Sequence, residues 1–317
     1  MTSVLGIDTS AYTASVAVVD DTGVRFDQRK VISVPMGARG IRPQDAVLAH
    51  VRALPGLVKD AMEVVGGSSL DAIAVSTRPR PAEDSYLPPF EAGHGLALAM
   101  GAALSIPVYL TSHQEGHVRA GMAGAGELFF PEFYAIHVSG GTTDFLRVAW
   151  NGTLHGITAL GGSEDLYGGQ FVDRVGVRLG GPFPAGPFLE HLSQPDPHYP
   201  RIPVGPPRYH DHLWWISFSG PESEAMRRID RGDRPEAVAA AVEFAVAQAL
   251  ASLLEKFPAK PVLVVGGVAA NLRIRQLLED RLPRSHGWQF MFAPPAFCRD
   301  NAIGVAWIGL DHIRGSR

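Results

Sequence analysis

Apolar and polar positions alternate in short blocks at the start of the chain. Residues 4–7 are apolar and stop at Asp8-Thr9-Ser10; residues 14–19 form a second apolar run. Asp20-Asp21-Thr22-Gly23 reads as a turn, followed by a third, more polar segment over 24–30. Short β-branched runs separated by small polar residues predict a β-meander whose first turn carries Asp8, Thr9 and Ser10. The period then changes. Val47, Leu48, Val51, Leu54, Leu57, Val58, Ala61 and Met62 recur at helical intervals. They predict an amphipathic helix over Pro43–Val65, with Pro55-Gly56 as a point where it would kink or split. A buried strand is expected at 70–76, a helix over Phe90–Leu104 and a short strand at 108–110.

The opening pattern then returns. A strand at 134–138 leads into the polar glycine turn Ser139-Gly140-Gly141-Thr142-Thr143-Asp144, and a strand at 145–149 follows. Strand, small-residue turn and strand thus occur twice, as GIDTSAYTASVAV and HVSGGTTDFLRVA. A third strand, 262–265, meets Gly266-Gly267-Val268-Ala269-Ala270-Asn271 and opens a helix over 272–282. Further helices are expected at 170–179, 235–257 and 300–314. A meander followed by alternating helices and strands, repeated once, predicts a duplicated α/β fold. Two similar lobes follow, 1–110 with the closing segment 300–317 packed back onto it, and 111–299. Two glycine-bearing hairpins are then expected to face a cleft, where small residues let backbone N–H groups reach phosphate oxygens.

Composition narrows the function. The chain has 317 residues, 46% of them hydrophobic, which excludes bulk disorder. A single cysteine, Cys298, excludes a disulfide framework and any multi-cysteine metal site. The 35 glycines and 25 prolines point to many functional turns rather than a helical bundle. The N-terminus lacks the basic and apolar regions of a signal peptide, and the apolar stretch near 237–254 is interrupted by Glu243 and Gln248. No membrane association and a cytoplasmic location are the expectation. A formal net charge of −4 argues against a broad nucleic-acid footprint, though Arg39, Arg42, Arg78, Arg80, Arg201 and Arg208 leave room for a small one.

Three constellations carry chemistry. In the SGGTTD turn, Gly140 and Gly141 permit close backbone approach, Ser139, Thr142 and Thr143 offer hydroxyls, and Asp144 suits a magnesium ion bridging phosphates. The plainer reading is a tight hairpin; pairing with the turn at residues 8–10 favours phosphate. In GGVAAN, Gly266 and Gly267 leave bare backbone for a ring to stack on, while Asn271 suits either an adenosine contact or a helix cap. His113 and His117 in HQEGH stand one helical turn apart, the spacing of two metal ligands. A protease HExxH motif needs Glu directly after the first His; here that position is Gln114, and Glu115 is misplaced. A third ligand stays open among Asp300, Asp144 and Asp8. Asp173, in a helix before the Gly/Pro turn at 180–187, is suited to ribose hydroxyls or is a solvated carboxylate. Cys298 reads as a small packed residue. No nucleophile–base pair stands out.

Taken in order, HQEGH, VSGGTTD, QFVDRVGVRLGGPFPAGP, ISFSG at 216–220, LVVGGVAAN and CRDNAIGVAW resemble the TsaD-type tRNA threonylcarbamoyladenosine enzymes, once called glycoproteases. The resemblance implies an actin/hexokinase-like (ASKHA) two-lobed fold with duplicated βββαβα-type domains. It implies transfer of a threonylcarbamoyl group from threonylcarbamoyl-AMP to the exocyclic amine of the adenosine beside the anticodon. It further implies one Fe²⁺ or Zn²⁺ ion on His113, His117 and Asp300, and an ATP- or AMP-type nucleotide, with Mg²⁺ as an accompanying ion. His137, Val138, Ser139, Gly140, Gly141, Asp173, Gly186, Gly266, Gly267 and Asn271 would line the nucleotide site. Asp8, Ser10 and Tyr12 are the first-loop candidates for catalysis. The implied partners are tRNA and TsaB-like and TsaE-like accessory proteins, with a dimer among the expected assemblies. This chain departs from the family where ETSCDDT or ETSCDET becomes DTSAYT at 8–13, TRGPG…GL becomes 77–89, VSGGHT becomes VSGGTT and FSGLKT becomes FSGPES. Those loops leave two alternatives: a carbamoyl-type transferase with a small-molecule acceptor, or a nucleotide-gated partner subunit without turnover.

Overall fold

The computed structural model describes residues 2–10, 12–32, 41–66, 70–126, 130–298 and 302–315. The chain divides into two compact units, Met1–Phe129 with Trp150–Ile157 and Arg299–Arg317, and Phe130–Ala149 with Thr158–Cys298.

The first unit runs β1 (Ser3–Thr9), β2 (Thr13–Asp20), β3 (Gly23–Val31), α1 (Pro43–Val65), β4 (Ala72–Arg78), α2 (Phe90–Leu104), β5 (Val108–Ser112) and α3 (His113–Gly124). Its sheet has the order β3-β2-β1-β4-β5, antiparallel in the meander and parallel from β1 to β5. The two faces of β1 have separate duties, as the two-residue period of a strand requires. Leu5 and Ile7 enter an apolar core with Leu54 and Leu57 of α1 and Ala97 of α2. Asp8, on the alternate face, is buried with a polar task described below. Asp8 and Thr9 are therefore strand residues rather than turn residues, with Asp8 opposite Ser15 in the antiparallel register. Pro55 does not split α1, whose buried Ala53, Leu54, Leu57 and Ala61 hold it continuously on the sheet.

The second unit contains β6 (Glu132–Val138), β7 (Thr143–Trp150, its last residue assigned to the first unit), β8 (Leu154–Ser163, beginning in the first unit), α4 (Gly168–Arg178) and α5 (Gly186–Leu192). Then come β9 (Arg208–His210), β10 (Leu213–Ile216), α6 (Ser219–Asp230), α7 (Pro235–Leu254), β11 (Pro261–Val265), α8 (Leu272–Arg281), β12 (Gln289–Phe292) and α9 (Pro295–Cys298). The sheet order is β12-β11-β6-β7-β8-β10-β9. Its core, β8-β7-β6-β11-β12, repeats the order of the first sheet strand for strand, and β10-β9 is an addition on one edge. Helix α7 is long and apolar enough to cross a membrane, but most of it is buried inside this unit, where it packs against α4, α5, α6, α8 and β10. Cys298 is buried, its thiol 3.4 Å from the Ala293 carbonyl, and burial pushes its pKa up.

Helix α10 (Ile303–Gly315) belongs to the first unit and lies on β1, β2, β4 and α3. The first unit consequently extends past residue 110 to take in α3. A buried ion pair fixes that packing: Arg119 of α3 donates to both carboxylate oxygens of Asp311 on α10, at 2.6 and 3.1 Å. The guanidinium lies over the rings of Trp150 and Trp307, 5.3 and 5.0 Å from their centroids.

Candidate functional site

In the first unit, β5 passes directly into α3 through a capping box. The Ser112 hydroxyl accepts from the Glu115 N–H at 3.2 Å, and Glu115 Oε2 accepts from the Ser112 N–H at 2.7 Å. The hydroxyls of Ser112 and Thr111 also donate to the same oxygen, at 2.6 and 3.0 Å. Glu115 is thus spent on starting the helix, which removes it from any role as a general base.

The helix begun in this way carries His113 and His117 on one face. Their Nε2 atoms face each other 3.1 Å apart, with the rings nearly perpendicular at 82°. Two imidazole donors about 2.1 Å from one shared ion stand roughly 3.0–3.4 Å apart, so the pair has the separation of two ligands on one cation. The far nitrogen of His113, Nδ1, lies 2.6 Å from Asp8 Oδ2, and Asp8 Oδ1 accepts from the Ser76 hydroxyl at 2.5 Å. Among the described residues no set of three or more His, Cys, Asp or Glu side chains gathers to hold an ion. Asp300, the carboxylate implied by the resemblance, lies outside the described residues. The two imidazoles fit the nitrogen half of a two-histidine, one-carboxylate centre. Asp8 is excluded from that set, because its Oδ2 is engaged at the opposite end of the His113 ring and its Oδ1 by the Ser76 hydroxyl.

The other first-loop candidates differ in exposure. Ser10 is buried, and its carbonyl accepts from the Nε2 of His50 at 2.8 Å. His50 is itself wholly buried, and burial lowers its pKa, so the neutral ring is favoured. Tyr12, 43% exposed, is held through its carbonyl by the Ile32 N–H at 2.8 Å.

In the second unit a second centre forms at the ends of β6 and β11. The Ser139 N–H bonds to the Thr142 carbonyl at 2.9 Å and the Gly141 N–H to the Ser139 hydroxyl at 3.2 Å, closing the turn before β7. Thr143 and Asp144, expected in the turn, open β7. The first residues of α4 dock on this loop: the Gly169 N–H reaches the Ser139 carbonyl at 3.0 Å and the Gly168 N–H reaches Thr143 Oγ1 at 2.9 Å. Gly169 is required there, since a Cβ would fall 2.3 Å from the Ser139 carbonyl carbon. With the Gly168 and Gly169 N–H groups engaged, what the helix start offers an anion is its dipole rather than those two donors. The hydroxyl oxygen of Thr142 is buried without a hydrogen-bond partner.

Asp173, one turn into α4, accepts from the Ala185 N–H at 2.7 Å. Burial raises its pKa, and the N–H groups of Ala185 and Gly186 oppose that rise. The same carboxylate stands 3.7 Å from where a Cβ on Gly140 would lie, so Asp173, Gly140 and Gly186 form one cluster. Gly266, at φ +97°, brings β11 against β6; a Cβ there would meet the Val138 carbonyl at 2.2 Å and the His137 ring at 3.1 Å. Gly267 leads into a 3₁₀ turn over Gly267–Ala270, which delivers Asn271. Asn271 caps α8 by accepting from the Ile274 N–H at 2.8 Å and donates to Glu243 Oε1 at 2.7 Å. Capping and ligand contact are compatible, because one amide N–H is left. Glu243, wholly buried on α7, also accepts from Ser193 at 2.5 Å. In the sequence Glu243 registers only as an interruption of an apolar stretch; its place on a helix apolar all round is the signal that marks it as buried.

The family model for TsaD, tRNA N6-adenosine threonylcarbamoyltransferase, matches residues 25–307. The chain belongs to this family. Relatives of that name include the Granulibacter bethesdensis protein, 32% identical over 98% of this chain and 88% of its own length. Those of Aromatoleum aromaticum (32%, covering 96% and 90%) and Methanopyrus kandleri (29%, covering 96% and 86%) agree with it. It is a family of transferases, not proteases, in keeping with the engaged Glu115. Among solved structures, the chain is similar to the activator of 2-hydroxyisocaproyl-CoA dehydratase from Clostridium difficile with bound ADPNP, with a TM-score of 0.58, 15% identity and coverage of 99% and 97%. A ROK family glucokinase from Streptomyces griseus in complex with glucose and AMPPNP gives a TM-score of 0.54, 15% identity and coverage of 96% and 98%. At such identities these neighbours establish the fold alone, which is actin/hexokinase-like.

Proposed function

We propose that this TsaD-family chain transfers a threonylcarbamoyl group from threonylcarbamoyl-AMP to the exocyclic amine of the anticodon-adjacent adenosine of tRNA, in the cytoplasm and with accessory proteins. The observation that carries the reading is the facing His113 and His117 nitrogens, in a chain whose family is one of threonylcarbamoyltransferases. In the reaction the amine nitrogen bonds to the carbamoyl carbon, the bond from that carbon to the phosphate oxygen breaks, AMP leaves with the electron pair, and the amine loses a proton.

In the second unit, the Ser139–Gly141 turn and the start of α4 would hold the adenylate phosphate, Asp173 the ribose hydroxyls, and the remaining Asn271 N–H the adenosine. In the first unit, His113 and His117 would hold an iron or zinc ion together with Asp300. Such an ion, when bound, polarises a carbonyl or phosphoryl oxygen. Stabilisation by fixed donors and charge, without an acyl-enzyme, suits a sequence in which no nucleophile–base pair stands out.

The test is incubation of the purified protein with threonylcarbamoyl-AMP, unmodified tRNA and the accessory proteins, with the modified nucleoside read by mass spectrometry. Appearance of threonylcarbamoyladenosine is expected. Turnover of threonylcarbamoyl-AMP onto a small amine but never onto tRNA would replace this reading with the small-molecule transferase. Nucleotide binding without any turnover would leave a partner subunit.

A further inference from the structure

The geometry points to Asp8, anchored by Ser76, as a positioning residue that turns the His113 lone pair toward the metal, and not as a ligand itself. This rests on the proposed His113–His117 metal centre and adds a role that centre does not assign.

A neutral imidazole carries one proton. With Asp8 Oδ2 at 2.6 Å, that proton belongs on Nδ1, and Nε2 is left with its lone pair directed at His117 Nε2. The carboxylate is fixed in turn. Parallel pairing of β1 with β4 sets Ile7 beside Val75, which brings Asp8 beside Ser76 one residue further on. Ser76 donates to Oδ1 at 2.5 Å. Asp8 is 1% exposed and Ser76 wholly buried, so bulk water does not compete for either bond. The clamp is built from adjacent strands inside the sheet, whereas the histidines lie in the first two turns of a helix. Partners of this kind typically alter metal affinity by 10- to 100-fold when removed. A purely structural Asp8 would instead hold α3 on the sheet with no effect on metal once folding is accounted for.

The experiment measures Zn²⁺ affinity of the full chain by chelator competition, together with the absorption spectrum of the Co²⁺-loaded protein and the melting temperature of the metal-free protein. Asp8→Ala is expected to weaken Zn²⁺ binding 10- to 100-fold while keeping one ion per chain and a wild-type Co²⁺ spectral shape. Asp8→Asn, which keeps an acceptor for the Nδ1 proton but no charge, should fall between, and Asp8→Glu, which restores a carboxylate, should recover most of the affinity. Ser76→Ala should lose a few-fold, and it keeps the proposal testable if Asp8→Ala fails to fold. Wild-type affinity in Asp8→Ala and Ser76→Ala, with binding lost in His117→Ala, would overturn the positioning role alone. A changed Co²⁺ spectrum in Asp8→Asn would overturn it by making Asp8 a ligand. Undiminished binding in His113→Ala and His117→Ala would instead remove the metal centre on which the inference rests.

Discussion

Glu243 shows what one residue can hold. It sits on a helix of alanine and valine, wholly buried, and accepts from Ser193 and from the Asn271 amide that also caps α8. Truncation to alanine leaves both donors without their partner, at a cost of about 3 kcal/mol; glutamine, which keeps one acceptor, should cost about 1 kcal/mol. Because Asn271 would turn once released, Glu243→Ala should also weaken ATP binding, measured by calorimetry, more than its stability loss explains. Burial raises the Glu243 carboxyl above the usual carboxylate range, against the pull of its Ser193 and Asn271 bonds. A raised acid binds its proton more tightly folded than unfolded. Its contribution is therefore complete below the ordinary carboxylate range and is lost as pH rises through the folded pKa. Urea unfolding of Glu243→Gln across that window should show a shallower decline with pH than the wild type, with the similarly raised Asp173 supplying part of the remaining slope. An unchanged slope would mean that Glu243 does not titrate there. Neither the burial nor the partners of this residue could be read from spacing, since Ser193, Glu243 and Asn271 are far apart in the chain.

Among elements, α1 and α2 were legible to their end residues, Pro43–Val65 and Phe90–Leu104, because their apolar residues recur at helical spacing and small or polar residues bound them. The start of α3 was spelled out as well, as the Ser112-x-x-Glu115 capping box, but that signal was read only for its histidines. Strands β8, β9, β10 and β12 were not legible: they are short, partly exposed or glycine-bearing, and lack clean alternation. What positions α3 is equally invisible in sequence, since Arg119 and Asp311 lie 192 residues apart. Arg119→Met leaves a buried carboxylate uncompensated and should cost about 3–5 kcal/mol by chemical unfolding. Arg119→Lys retains the charge but loses the bidentate geometry and the stacking on Trp150 and Trp307, and should fall between. The paired change Arg119→Met with Asp311→Leu should recover most of the loss, because two apolar side chains need no partner. If the double variant is as unstable as the single, the pair contributes something other than mutual compensation.

At the scale of the whole molecule, the duplication read from GIDTSAYTASVAV and HVSGGTTDFLRVA corresponds to a repeated strand order, with β1 and β6 at equivalent places in the two sheets. The repeat was legible because each copy starts with a meander; the split of the chain was not, because the first unit also takes residues 150–157 and the C-terminal helix. Each unit has its own core, one around Leu5, Ile7 and Leu54 and the other around α7. A chain with two separate cores has reason to depart from two-state unfolding. Scanning calorimetry should resolve two transitions that respond to different changes. Arg119→Met should lower only the first unit's transition and Glu243→Ala only the second's. ATP at 100 times its Kd should stabilise the second by about 2.7 kcal/mol, and Zn²⁺ at the same ratio should do so for the first. A single transition displaced equally by both substitutions would show that the two cores melt as one, and the energetics assigned above to each unit would then belong to the molecule as a whole.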